Sequence, residues 1–456
     1  MEALGAQRKQ RVVLVPYPYQ GHMTPMLQLG SILHSKGFSI VVAHTEFNSP
    51  RTSDNPEFTF LPLSDNLSDF DTSFYNMLNI ISAMNKNCKA SFQDYLVQMI
   101  EEEELCGDVA CIIYDSILHF VDDVATRLKI PTIVLRTNGA AYMHSHSTVL
   151  QLVAEKVFPL PESRLQDEVP ELHPLRFKDL PFPATSNLPQ PVIDFVQSYT
   201  DIRSSSAVIW NTVNKLDHTK LQQLQQHSQV PFFPIGPLHK MAPPLSTSLI
   251  NEDTSCLSWL DKQAPSSVIY VSLGSLATID EKELSEMAWG LAKSEQPFLW
   301  VVRPSLLNDS EAIGFLSKDF LEITKDRGCI VKWAPQKKVL AHWAVGGFLS
   351  HCGWNSTLES MFEGVPMICR PSFSDQMVNA RYLTHVWRVG LELEQASEGS
   401  IEKAVRKLMV GEEGKELTKR AFEMKQELEE SIKEGGSSYE SLHNLVEFII
   451  SLSGKK

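Results

Sequence analysis

Short runs of apolar, β-branched residues alternate with helical stretches along most of this chain, and that alternation constrains the fold more than any other feature. Val12–Val15 is the first such run. Strands of a parallel sheet are buried on both faces, so they read as continuous apolar runs rather than as an in-out pattern. Pro16 to Thr24 reads as a loop. Pro25 opens a helix through Leu27, Leu29, Ile32 and Leu33 that Gly37 ends, and Phe38–Ala43 is the next strand. Cys111–Tyr114, a helix from about Leu118 to Leu128, and Ile133–Leu135 continue the series. Such a series predicts a parallel sheet with helices on both faces.

The series then breaks and restarts. Pro231, Pro234, Pro237, Pro243 and Pro244 crowd one stretch, followed by a polar run from Ser246 to Thr254. Strands resume at Val268–Leu273, with Asp280 capping a helix to about Lys293. Phe298–Val302, Cys329–Lys332, Gly346–Leu349 and Val365–Ile368 follow. With 456 residues the chain exceeds the roughly 250–300 that one core organises. We read residues 1–236 as one doubly wound α/β domain, 237–253 as a linker and 254–456 as a second domain. The last helix, about 439–450, carries an apolar stripe that could return to the first domain.

Composition narrows the function classes. Asp plus Glu (55) outnumber Lys plus Arg (41), for a formal charge of −14, which argues against nucleic-acid and membrane partners. Seven cysteines without a CxxC suit reduced thiols in a cytoplasmic protein. The basic Arg8–Arg11 stretch precedes only four apolar residues, too few for a signal peptide. No Gly-x-Gly, GxxxxGK[ST], HExxH or GxSxG occurs, which disfavours a nicotinamide-dependent oxidoreductase and several hydrolase classes. His144-x-His146 lacks a third metal ligand and reads as helix or loop surface.

Ligands of doubly wound sheets bind at the carboxyl ends of the strands. Gln20–Gly21–His22 follows the first strand. Its histidine suits proton abstraction from a hydroxyl, or equally a surface or capping role. Asp115 ends another strand and is either the carboxylate that orients such a histidine or a helix cap. His351–Glu359 runs from a strand through a small polar turn into a helix, the arrangement that binds phosphate. There Gly353 lets the backbone approach closely, Asn355 and Ser356 can donate and His351 can reach a phosphate oxygen, or the stretch is an ordinary helix cap. Trp333 offers a stacking face and Gln336 a base-edge contact. Asp375–Gln376 suits bidentate binding of sugar hydroxyls.

Together, Trp333 to Gln376 resembles the 44-residue signature of plant family-1 UDP-dependent glycosyltransferases: WAPQ, LAH, HCGWNSTLES, GVPM and DQ. The likeness extends to Phe233–Leu238, Val271–Ser275, Asn379–Tyr382 and Gly435–Ser438. It implies the GT-B fold, two Rossmann-like domains facing across a cleft, and metal-free inverting transfer with no cofactor beyond the co-substrate UDP-glucose. By the same resemblance His22 is the general base and Asp115 its partner. Trp333, Ala334 and Gln336 hold the nucleoside, Glu359 the ribose, and Ser275, His351, Asn355 and Ser356 the diphosphate. Trp354, Asp375 and Gln376 hold the sugar. Trp354 and Gln376, the twenty-second and last residues of the signature, accompany glucose as donor sugar.

The Cys369–Ser374 lead, Met361 and Val386–Gly390 resemble the branch that includes steviol-glycoside and cytokinin glucosyltransferases, and Trp343 replaces a common proline. The expected acceptor is a lipophilic hydroxylated terpenoid, phenolic or flavonoid, free or already glycosylated, bound near Met84, Asn87, Ile117, Leu118, Asn138 and Tyr142. The product is then a β-glucoside and UDP, formed by a monomer. Nitrogen- or carbon-glucosyl transfer and a non-catalytic UDP-sugar-binding protein are the alternatives.

Overall fold

The computed structural model describes residues 10–68, 76–102, 107–202, 204–244, 246–307, 314, 316–393 and 395–453. Two compact units divide the chain. The first comprises residues 1–150, 188–249 and 431–456, and the second 151–187 and 250–430.

The first unit is built on a seven-stranded sheet: β1 (Arg11–Val15), β2 (Ser39–Thr45), β3 (Thr59–Leu63), β4 (Val109–Asp115), β5 (Thr132–Arg136), β6 (Ala207–Trp210) and β7 (Phe232–Pro234). The spatial order is β3-β2-β1-β4-β5-β6-β7, and every pairing is parallel. β1, β4, β5 and β6 are buried along their whole length, which is why they read as unbroken apolar runs. β3 escapes the sequence pattern because it is an edge strand carrying Pro62, with Phe60 and Leu61 only half-buried.

The second unit holds a six-stranded sheet: β8 (Val268–Ser272), β9 (Phe298–Val301), β10 (Gly328–Val331), β11 (Val345–Ser350), β12 (Met367–Cys369) and β13 (Gly390–Glu392). Its order is β10-β9-β8-β11-β12-β13, again wholly parallel. β13 has only three residues, one of them exposed, too short for a periodicity to register.

In both sheets the order of strands reverses once, between β1 and β4 in the first and between β8 and β11 in the second. Chain segments leaving the two strands on either side of such a reversal diverge and leave a crevice between them, the usual ligand site of open parallel sheets.

Two sequence expectations need correction. The loop expected from Pro16 to Thr24 stops at Tyr19, because helix Gln20–Ser35 begins five residues before Pro25. Tyr19 carbonyl accepts from the amides of both His22 and Met23, so the first turn is satisfied although Pro25 lacks an N–H. His22 therefore stands on a helix rather than in a loop. His146 is also not at a surface: it is fully buried on helix Ala140–Ala154, with Nδ1 bonded to Tyr142 carbonyl at 3.0 Å.

The final helix, Ser437–Ser453, packs on the first sheet. Leu442, Leu445 and Ile449 join the core formed by β1, β2, β4, β5 and β6. Phe448 meets the Phe233 ring at 5.5 Å, and Ser438 Oγ donates to Gly236 carbonyl at 2.6 Å. Among the described residues no helix is long and apolar enough to cross a membrane. The six described cysteines are free thiols, and Cys106 lies outside the described residues.

Candidate active site

In the first unit, β1 and β4 are neighbours in register, Val15 opposite Tyr114. The helix after β1 and the last residue of β4 therefore emerge side by side. His22 Nδ1 lies 2.6 Å from Asp115 Oδ2. Asp115 is buried, whereas the His22 side chain keeps 26% of its surface exposed. A carboxylate only accepts, so this contact puts the proton on Nδ1 and leaves Nε2 as the basic nitrogen. Thr137 Oγ1, just past β5, is 3.1 Å from the same Nδ1.

Asp115 also accepts the Ile117 amide on Oδ1 at 3.1 Å, so it fills the local turn-capping role and the histidine-orienting role at once. Tyr17 packs edge-on against the imidazole at 5.2 Å between ring centres. Burial, reinforced by Tyr19 and Asp115, pushes its phenol well above its usual range, so it stays protonated. Neither Tyr17 nor Thr137 stood out in the sequence. Only the placement of β1 beside β4 and β4 beside β5 brings them to His22.

The residues expected around an acceptor belong to the same unit. Ile117 lies two residues after Asp115, and Asn138 follows Thr137. Asn85 Nδ2 donates to Ile117 carbonyl at 2.9 Å and thereby fixes this turn to helix Met77–Glu101. Asn138 Nδ2 donates to Tyr199 Oη at 2.5 Å. Tyr142 packs on His146 at 4.3 Å. Met84 and Leu118 are fully buried core residues, and Asn87 turns its amide to Asp65 carbonyl at 2.7 Å.

In the second unit the reversal falls between β8 and β11, where Ser272 stands opposite Ser350. The loop holding Gly274 and Ser275 therefore lies beside the turn His351–Cys352–Gly353 that opens helix Trp354–Glu363. The His351 ring fills the space between them. A Cβ on Gly274 would come within 2.4 Å of His351 Nε2, and one on Gly353 within 2.5 Å of the same atom. Gly274 also has φ +74°, the left-handed region that favours glycine. A side chain at either glycine would therefore displace the histidine. Burial lowers the His351 pKa to about 4, so the ring is neutral at physiological pH. Cys352 adopts φ +64°, a conformation uncommon for a side chain and typical of sites where function fixes the backbone.

Arg303 has no local sequence signature. It is buried, donates Nε to Gly274 carbonyl at 3.0 Å and bonds Ala277 carbonyl through Nη2, so it holds the Ser275 loop. Burial lowers its pKa to about 10, which leaves it charged.

Gln336 gathers three elements. Its Nε2 donates to Ser356 Oγ at 2.9 Å and Glu359 Oε2 at 2.7 Å, and its Oε1 accepts from Tyr270 Oη at 3.2 Å. Trp333 is half-exposed after β10, while Ala334 is buried. Trp354 is buried against Trp387 at 6.2 Å between ring centres, so the Val386–Gly390 stretch supports the first turn of the helix. Asn355 is half-buried beside it. Asn379 Nδ2 donates to both Asp375 Oδ2 and Cys352 carbonyl, each at 2.9 Å, which binds the Asp375–Gln376 turn to the phosphate-type turn. Gln376 Oε1 accepts from the Ser372 amide at 2.9 Å. Ser374, just before, has φ +58°. Among the described residues no group of three or more His, Cys, Asp or Glu side chains is placed to hold a metal ion.

Two wholly parallel Rossmann-like units, with a histidine–carboxylate pair at one strand reversal and a glycine-containing turn at a helix N-terminus at the other, have the architecture of a GT-B glycosyltransferase. The chain belongs to the UDP-glucoronosyl and UDP-glucosyl transferase family, whose description matches residues 26–421. It is 56% identical to UDP-glycosyltransferase 76E1 of Solanum lycopersicum over 98% of this chain and 94% of the relative. It is 45% identical to flavonol 3-O-glucosyltransferase UGT76E12 of Arabidopsis thaliana over 99% of this chain and all of the relative. The structure of Phytolacca americana UGT2 with UDP-2fluoro-glucose and pterostilbene superposes with a TM-score of 0.80 at 29% identity, covering 96% of this chain and 99% of that one.

Proposed function

We propose that this UDP-glycosyltransferase is an inverting, UDP-glucose-dependent O-glucosyltransferase of lipophilic hydroxylated small molecules. The observation that carries the reading is the 2.6 Å contact between His22 Nδ1 and the buried Asp115 carboxylate. It orients an imidazole whose Nε2 can take a proton from an acceptor hydroxyl. The names of the flavonol glucosyltransferase relative and of the pterostilbene complex support a hydroxylated, largely apolar acceptor and a glucosyl donor.

The reaction is a single displacement. Nε2 of His22 removes the acceptor proton as the acceptor oxygen bonds to the anomeric carbon. The bond from that carbon to the UDP oxygen breaks on the opposite face, so the product is the β-glucoside. Asp115 stabilises the imidazolium formed in this step. The leaving diphosphate is held by the first-turn amides of helix Trp354–Glu363, with Asn355, Ser356, Ser275 and neutral His351, whose charge stabilisation serves in place of a metal ion. Trp333, Ala334, Gln336 and Glu359 bind the nucleoside. Trp354, Asp375 and Gln376 bind the sugar. No cofactor takes part, and the protein works as a cytoplasmic monomer.

The test is incubation with UDP-glucose and a panel of terpenoid, phenolic and flavonoid alcohols, with UDP release, product mass and linkage determined. An acid-labile β-O-glucoside is expected. UDP binding without UDP release on any acceptor would mean a binding protein, and an acid-stable product would mean carbon-glucosyl transfer.

A further inference from the structure

The loop between β12 and Gln376 is held from outside the nucleotide-sugar site by a relay of three side chains. Arg370, the first residue after Cys369, pairs its Nη2 with Glu283 Oε1 and donates Nη1 to Ser372 Oγ at 2.5 Å. Glu283 lies in the first turn of helix Glu281–Ser294, whose N-cap Asp280 accepts the Glu283 amide at 2.7 Å, so its backbone is fixed. Ser372 passes the constraint on, because its amide donates to Gln376 Oε1 at 2.9 Å, with the Phe373 amide at 3.4 Å. Both members of the ion pair are mostly buried, with 14% and 22% of their side-chain surfaces exposed. They line a surface cavity of about 430 Å³ together with Asp280, Glu286, Pro371 and Ser397.

We infer that Glu283, Arg370 and Ser372 are positioning residues for donor-sugar recognition: they fix the Gln376 side chain and the strained Ser374 turn without touching UDP. This rests on the proposed role of Gln376 in holding the sugar. Ser374 sits at φ +58°, ψ −135°, a conformation that a side chain adopts only where surrounding contacts enforce it. Arg370 anchors the loop three residues ahead of Phe373, and Gln376 closes it from the other end. A planar guanidinium bridges a carboxylate and a hydroxyl at once, which a lysine ammonium does less well. The relay thus works entirely within the Cys369–Ser374 lead and its contact to Glu283.

The test is calorimetric titration of the purified full chain with UDP and, separately, with UDP-glucose, for wild type, Arg370→Ala, Glu283→Ala, Ser372→Ala and the Arg370→Ala/Glu283→Ala double variant. Melting temperatures are recorded alongside. UDP affinity should stay within about twofold, while UDP-glucose affinity falls about tenfold in Arg370→Ala, the usual share of one charged hydrogen bond. The double variant should be no weaker than Arg370→Ala alone, because the two residues act as a unit. Equal losses for UDP and UDP-glucose, or no loss in any variant with an unchanged melting temperature, would overturn the inference. A wild-type protein that binds UDP-glucose no differently from UDP would instead overturn the sugar-binding role of Gln376 on which it rests.

Discussion

Replacing Gly274 with alanine tests the packing of the diphosphate turn. The new Cβ would stand 2.4, 2.7 and 2.8 Å from Nε2, Cε1 and Cδ2 of His351. Comfortable contacts begin near ~3.5 Å, so the ring must retreat by about 1 Å. Two costs follow. The left-handed backbone, φ +74°, costs an alanine roughly 1–2 kcal/mol. At about 2–4 °C per kcal/mol for a unit of this size, the melting temperature should drop by roughly 2–8 °C. If His351 holds the diphosphate as proposed, displacing it should remove about 1.5–3 kcal/mol of binding, a rise of roughly 10- to 150-fold in the Kd for UDP. Isothermal titration with UDP and a thermal melt of the same preparation measure both. A Gly274→Ala protein that binds UDP as tightly as wild type would refute the geometry argued for this turn.

Arg303→Lys should weaken UDP binding roughly tenfold, because an ammonium cannot reproduce the fork that holds both Gly274 and Ala277 carbonyls; titration with UDP checks it. Leu445→Ala, deep in the first core, should destabilise by about 2–5 kcal/mol in denaturant unfolding while leaving UDP affinity unchanged. Stability should also fall as pH drops. His351 and His146 have folded pKa values near 4, depressed mainly by burial, against an unfolded value of 6.5. The unfolded chain therefore binds protons first, so their contribution is complete above about pH 6.5 and is lost as pH falls towards 4. His146→Phe should flatten part of that slope in melts recorded from pH 7.5 to 4.5.

The second site was more legible than the first because its residues lie close in sequence. His351 to Glu359 is one strand-turn-helix, and proximity along the chain placed its donors together before any tertiary information. His22 and Asp115 are separated by most of a half-domain. Their meeting depends on β1 lying next to β4, a pairing that apolar runs do not specify. Arg303, Tyr17 and Thr137 were invisible for the same reason: each acts through a neighbour brought by sheet order, and none has a local signature. Pro25 misdirected the start of the first helix. Proline is over-represented at the first position of helices, but here Tyr19 carbonyl satisfies the earlier amides and the turn forms ahead of it. The edge strand Thr59–Leu63 was hidden by its proline and its half-exposed side chains, whereas the fully buried strands announced themselves.

The central claim is that His22, oriented by Asp115, is the base of a glucosyl transfer. Its most direct test is the rate of UDP release from UDP-glucose with an accepted alcohol, for wild type and His22→Ala, with UDP affinity measured in parallel. UDP affinity should be unchanged and the rate lower by at least ~10²-fold. Turnover by His22→Ala at the wild-type rate would contradict it.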